Sequence, residues 1–194
     1  LGQRAGAAGG LGFDWFWVGD ERFFREPYQL LAMAAQATSR IELGPCVTDP
    51  FSRHPALTAL AIATLDEISD GRAVLVYGAG KSGFPEMGID RSRSVTAIRE
   101  ATQLVRALLT DGTAEFQGEL ISFHDGRLNL PTPVARPIWI ASEGMQTLRM
   151  AGGVADAVMI GSAANRAGTE AAIAGIQQGA DKACRALPPV HLRI

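Results

Sequence analysis

The chain carries few of the residues that announce a metal, a membrane or a nucleic acid. Its two cysteines, Cys46 and Cys184, lie far apart and form no Cys-x-x-Cys or Cys/His spacing. Neither a zinc site nor a disulfide framework is indicated. The three histidines, His54, His124 and His191, are scattered. No apolar run approaches the roughly 18 residues of a membrane span. Positive charge is not in excess: 18 Lys and Arg stand against 20 Asp and Glu, a net charge of −2. That balance leaves no basic footprint for nucleic acid. The opening Leu1-Gly2-Gln3-Arg4 has no Met, and no basic or apolar leader follows, so no signal peptide is read there. A soluble, cytoplasmic protein without a structural metal is expected.

What is present is an ordinary globular composition, 47% hydrophobic and 20% charged, able to bury a core. Apolar runs at 13–18, 41–48, 73–77, 137–141, 157–160 and 190–194 alternate with segments of helical period at 27–38, 56–69, 94–109, 146–151 and 169–185. Strand-then-helix alternation argues for a parallel sheet with helical crossovers. In the second helix, Leu57, Leu60, Ala61, Thr64, Leu65 and Ile68 read as the inward stripe. Gly152-Gly153 is expected to end the fourth. Residues 113–123, alternating around Gly118-Glu119, read as a small hairpin inserted in the alternation. Six barrel-type strands result, within a single domain over 1–194. A closed barrel needs eight strands and typically about 250 residues. The first residues read as a helix entered midway, so a fragment is expected, with one strand before Leu1 and one after Ile194.

Strand exits carry the candidate chemistry. Gly44-Pro45-Cys46-Val47-Thr48-Asp49-Pro50 ends one strand, and Pro55 suits the first turn of the helix that follows. Cys46 and Val47 are therefore the first place to expect a ligand, with Cys46 a small buried residue rather than a nucleophile. Asp20-Glu21 closes the first strand; such acids cap helices or pair with surface cations, or face a barrel mouth and relay protons. Trp15, Phe16 and Trp17 before them read as packing.

Gly78-Ala79-Gly80-Lys81-Ser82-Gly83 matches G-x-G-x-x-G after a strand, and also ends in Gly-Lys-Ser. A P-loop would need glycine where Leu75 stands. A dinucleotide site would need a helix opening within the motif, where Pro85, Gly88 and Asp90 intervene. A strand-end loop whose backbone approaches a ligand fits better, with a plain turn as the alternative. Ser142-Glu143-Gly144 and Gly161-Ser162 lead from strands into helices and suit an anion at helix N-termini.

Together these stretches resemble the bacterial luciferase-like superfamily of flavin and deazaflavin oxidoreductases, in the branch similar to methylenetetrahydromethanopterin reductase. The resemblance is carried by residues 12–20, 43–50, 53–59, 63–73, 78–80, 137–142 and 155–160, and spans essentially the whole chain. It implies an α/β fold, a (β/α)8 TIM-type barrel, here incomplete, with a small β-hairpin insertion. It implies a non-prolyl cis peptide at Cys46–Val47, forming a bulge behind the isoalloxazine ring. Cofactor contacts would come from Asp20, Cys46, Val47, Thr48, Gly78, Ala79, Gly80, Ser142, Glu143, Gly144, Gly161 and Ser162. Several relatives place His after the aspartate where this chain has Glu21, so Asp20 and Glu21 are the catalytic candidates.

The activity implied is hydride transfer between coenzyme F-420, a deazaflavin, and a small organic substrate. An FMN-dependent monooxygenase on the same barrel, and a truncated barrel that only binds flavin, are the alternatives. A homodimer is expected. The substrate is not legible.

Overall fold

The structure, a computed structural model, describes residues 2–130, 134–161 and 165–193. Helix α1 (Gly2–Gly10) leads into β1 (Trp15–Val18), α2 (Pro27–Gln36), β2 (Glu42–Thr48), α3 (Pro55–Ser69) and β3 (Leu75–Tyr77). A short 3-10 turn, Pro85–Met87, precedes α4 (Ser94–Asp111). The hairpin strands β4 (Thr113–Gln117) and β5 (Ser122–Arg127) follow. The alternation then resumes with β6 (Ile138–Ser142), α5 (Met145–Val154), β7 (Ala157–Ile160), α6 (Arg166–Lys182) and β8 (Val190–Leu192).

Local chemistry sets the helix starts. Glu26 caps α2 by accepting from the Gln29 N–H at 3.0 Å, with Pro27 in the first turn. His54 caps α3 through its ring Nδ1, which accepts from the Ala56 N–H at 3.2 Å, with Pro55 next in line. Asn165 caps α6 from its side-chain oxygen, 2.8 Å from the Gly168 nitrogen. Asp70 ends α3 in the left-handed region.

The strands outside the hairpin form one six-stranded parallel sheet in the order β1-β2-β3-β6-β7-β8. A parallel neighbour requires a crossover, and the intervening helices supply it. The sheet curls. Trp15 on β1 and His191 on β8, its two outer strands, have ring centroids 5.1 Å apart across the concave face. This is the curved half of a TIM-type barrel, as the alternation predicts.

The period-2 pleat divides the core in two. Leu75 and Tyr77 of β3 face outward with Leu43, Ile62, Ile98, Leu104 and Ile138, under the helices. Val74 and Val76 face inward with Trp15, Trp17, Trp139 and Met159. A strand covered on both faces reads as a continuous apolar run, as residues 73–77 do. Each buried aliphatic side chain contributes roughly 1.5–3 kcal/mol.

Three expectations are corrected. Leu57, Leu60 and Ile68 of α3 are exposed, and the buried face is Ala56, Ala59, Ile62, Ala63 and Leu65. Of the expected stripe only Leu65 is buried. Large apolar residues stand on both sides of the helix, so periodicity alone does not choose between them, and small alanines face inward where they let it sit close to its neighbours. Gly152 and Gly153 do not end α5, which runs on to Val154. They serve a close helix contact: a β-carbon on Gly152 would strike the Ile176 carbonyl, and one on Gly179 the Arg149 carbonyl. The hairpin extends past 123, to Arg127, in a separate two-stranded sheet.

The hairpin tip is tied down by one carboxylate. Glu100, buried on α4, accepts from the N–H groups of Glu119 at 2.8 Å, Leu120 at 3.0 Å and Ile121 at 3.1 Å. Gly118 leaves the space for it, since a β-carbon there would run into the carboxylate.

Candidate functional site

Parallel strands present all their carboxyl ends on one side, and in α/β sheets ligands bind there. Here that side holds a cleft of about 550 Å³. The exit of β1 contributes Gly19, Asp20, Glu21 and Arg22; β2 contributes Cys46 and Val47. The β3 exit adds Gly78, Ala79, Gly80 and Lys81; β6 and β7 add Ser142, Glu143, Met159 and Gly161.

The peptide between Cys46 and Val47 is cis, and the pairing of β2 with β3 shifts register between Cys46 and Thr48. The bulge expected at this point is present. The Val47 side chain occupies the volume above Gly78: a β-carbon on Gly78 would lie 2.8 Å from Val47 Cγ2. Beneath the bulge, Cys46 Sγ is 3.7 Å from Met159 Sδ. Burial pushes the Cys46 thiol up, with Arg193 opposing, so the group is a thiol rather than a thiolate.

The glycine loop behaves as a strand-end loop. No helix opens within it; α4 begins at Ser94, and the sheet is curled rather than flat. Gly80 has φ +67°, a conformation that favours glycine. The loop is moulded against Phe84, which packs under two guanidinium groups, Arg22 at 4.9 Å and Arg91 at 5.4 Å. Arg91 also donates to the Gly80 carbonyl at 2.7 Å. Arg22 is itself buried in an ion pair with Asp49. Asp49 in turn accepts from the backbone N–H groups of Phe51 and Ser52, each at 2.7 Å. One buried pair thus links the loops that follow β1, β2 and β3.

Most of the expected site residues converge on this cleft, with three exceptions. Thr48 is buried behind the wall, where its hydroxyl donates to Asp20 Oδ2 at 2.6 Å. Gly144 caps α5 and is absent from the cleft lining. Ser162 lies outside the described residues. The two expected anion turns also have internal duties. The Gly144 N–H donates to Ser142 Oγ at 3.0 Å, and the Gly161 N–H to the Ser142 carbonyl at 2.9 Å.

Sequence reading missed the basic side chains. Arg22, Lys81, Arg91 and Arg193 all line the cleft. Lys81 pairs with Glu143 at 3.1 Å across it. No motif joins these residues, but Arg22, Lys81 and Arg193 each follow a strand end within four positions. That placement was the available signal.

Known proteins share both sequence and shape with this chain. The luciferase-like monooxygenase family matches residues 1–194. The 5,10-methylenetetrahydromethanopterin reductase of Archaeoglobus fulgidus is 39% identical over 150 residues, covering 77% of this chain and 45% of that protein. The reductase of the same name from Methanopyrus kandleri is 33% identical over 198 residues, covering 93% and 56%. A phthiodiolone/phenolphthiodiolone dimycocerosates ketoreductase of Mycobacterium tuberculosis is 37% identical over 143 residues, covering 68% and 36%. The chain spans about half the length, or less, of these relatives.

Among solved structures, the coenzyme F420 dependent tetrahydromethanopterin reductase from Methanopyrus kandleri superposes with a TM-score of 0.87 at 29% identity, covering 99% of this chain and 61% of that one. An F420-dependent secondary alcohol dehydrogenase, bound to an F420-acetone adduct, shares the fold with a TM-score of 0.87 at 23% identity, covering 98% and 63%.

Proposed function

This chain belongs to the luciferase-like monooxygenase family, and on that premise we propose that it forms part of an oxidoreductase. The reaction is hydride transfer between coenzyme F-420 and a small organic substrate. The observation that carries the reading is the Cys46–Val47 bulge seated on Gly78, at the floor of a cleft framed by Asp20 and the β6 and β7 exits. The named relatives support it: two are methylenetetrahydromethanopterin reductases, and the reductase of known structure is described as F420-dependent.

The residues present fit such a group. Val47, packed down onto Gly78, offers an apolar backing for a planar ring. Asp20 would accept a hydrogen bond from the ring's polar edge, and Glu21 beside it would hold the proton exchanged on the substrate side. Because the Gly144 and Gly161 N–H groups already have protein acceptors, an anionic phosphate end draws its counter-charge from Lys81, Arg91 and Arg193. When bound, the deazaflavin supplies the hydride chemistry; the protein binds, orients and excludes water.

The test is to incubate the full-length protein with F-420 and with FMN and measure what is retained by fluorescence and absorbance. Retained F-420 is expected. FMN alone would turn the reading to the monooxygenase alternative, and neither would end it.

We also assign a soluble cytoplasmic homodimer. Among the described residues no helix is long and apolar enough to cross a membrane. Leu57, Leu60 and Ile68 of α3, with Met33 of neighbouring α2, are exposed apolar side chains of the kind that interfaces cover. Light scattering on the eluted protein tests the dimer; a monomer mass would refute it.

A further inference from the structure

Asp20 and Thr48 leave different strands and meet at the edge of the cleft. The Asp20 carboxylate is half-buried and faces the cavity; Thr48 is fully buried behind it. The Thr48 hydroxyl donates to Asp20 Oδ2 at 2.6 Å. A carboxylate at a strand exit turns about two side-chain torsions unless one oxygen is held. A hydroxyl fixed in the core holds it, and so decides which oxygen faces a ligand.

The surroundings of Thr48 support this direction of donation. The buried Tyr28 hydroxyl has no hydrogen-bond partner among the described residues, and neither have the Tyr77 and Thr58 hydroxyls. Burial pushes the Tyr28 phenol well above its ordinary range, with Thr48 opposing, so it stays protonated. With the phenol outside hydrogen-bonding geometry, the Thr48 hydroxyl has Asp20 Oδ2 as its acceptor, at 2.6 Å.

We propose that Thr48 is the positioning residue of the site: its hydroxyl tethers one Asp20 oxygen and presents the other to the polar edge of the bound ring. This rests on the functional reading above. Thr48 itself touches neither cofactor nor substrate, and it acts only through Asp20.

A double-mutant cycle in the full-length protein tests it, with F-420 affinity measured by fluorescence titration for wild type, Thr48→Val, Asp20→Asn and the double variant. Each single change is expected to weaken binding about tenfold, and the double variant to bind no more weakly than Asp20→Asn. Thr48→Ser is expected to stay within about twofold of wild type, because it keeps the hydroxyl. Losses that multiply, or wild-type affinity in Thr48→Val, would overturn the inference. Should Thr48→Val not fold, Thr48→Ala takes its place in the cycle. If wild type binds no F-420, the functional reading fails, and urea unfolding of the same four proteins decides the tether. Non-additive unfolding constants, by about tenfold, are then expected; additive ones would refute it.

Discussion

Val47 sits in the space that any side chain on Gly78 would need: a β-carbon there would lie 2.8 Å from Val47 Cγ2 and 3.1 Å from Cγ1. The bulge of β2 and the first residue after β3 are thus one fitted surface. Gly78→Ala is expected to lift the bulge and weaken F-420 binding at least about tenfold, since cores tolerate little added volume. Val47→Ala in the same protein is expected to recover most of it. Fluorescence titration of both variants measures this, and an unaffected Gly78→Ala would show that the contact does not shape the site.

The Arg22–Asp49 pair should prove costly to break from one side. Arg22→Met leaves the Asp49 carboxylate buried beside the Phe51 and Ser52 donors, without its cation. A loss of about 3 kcal/mol in urea unfolding is expected. Adding Asp49→Asn should return part of that loss, because the uncompensated charge disappears with it. A double variant less stable than Arg22→Met would contradict this.

Glu100 gives the hairpin a pH signature. Burial pushes its carboxyl up, but the Glu119, Leu120 and Ile121 N–H groups and Arg99 outweigh burial and hold it below the ordinary 4.5. A carboxyl depressed in the folded state stabilises above its unfolded value and loses that stabilisation as pH falls through the folded one. Stability should therefore drop below about pH 4.5, and Glu100→Gln should flatten that part of the curve while lowering stability at neutral pH. Urea unfolding between neutral pH and pH 3 reads both. An unchanged acid slope in Glu100→Gln would place the effect elsewhere.

The glycines of the helices separate cleanly by environment. Gly152→Ala, which meets the Ile176 carbonyl, is expected to cost about 1–3 kcal/mol or more. Gly9→Ala in α1 meets nothing within 4 Å among the described residues and is expected to stabilise by up to about 1 kcal/mol. Thermal melts of the two variants should move in opposite directions.

The strands were legible in the sequence because both faces of the sheet are covered, so β3 and β7 appear as unbroken apolar runs. The cleft's position followed from strand exits, and its glycine loop from spacing. What stayed hidden depends on partners remote in sequence. Gly152 reads as a helix stop until α6 is placed against it. The exposed and buried sides of α3 look alike because both are apolar. Arg22 gives no sign of meeting Asp49, nor Thr48 of standing behind Asp20 rather than beside it. Each of those facts is made by elements remote in sequence coming together, and no local pattern encodes it.

All three tryptophans of the chain, Trp15, Trp17 and Trp139, collect on the concave face. Trp139 stacks on His191 with centroids 4.3 Å apart, and each of the other two indoles stands edge-on to Trp139 at 5.4 Å. The same cluster includes Cys46, Val47, Ala141 and Met159, which form the floor of the cleft. Every indole of this chain therefore emits from one spot beneath the floor of the cleft. A coloured ring seated there would quench all three together, an optical gauge of occupancy that needs no attached dye.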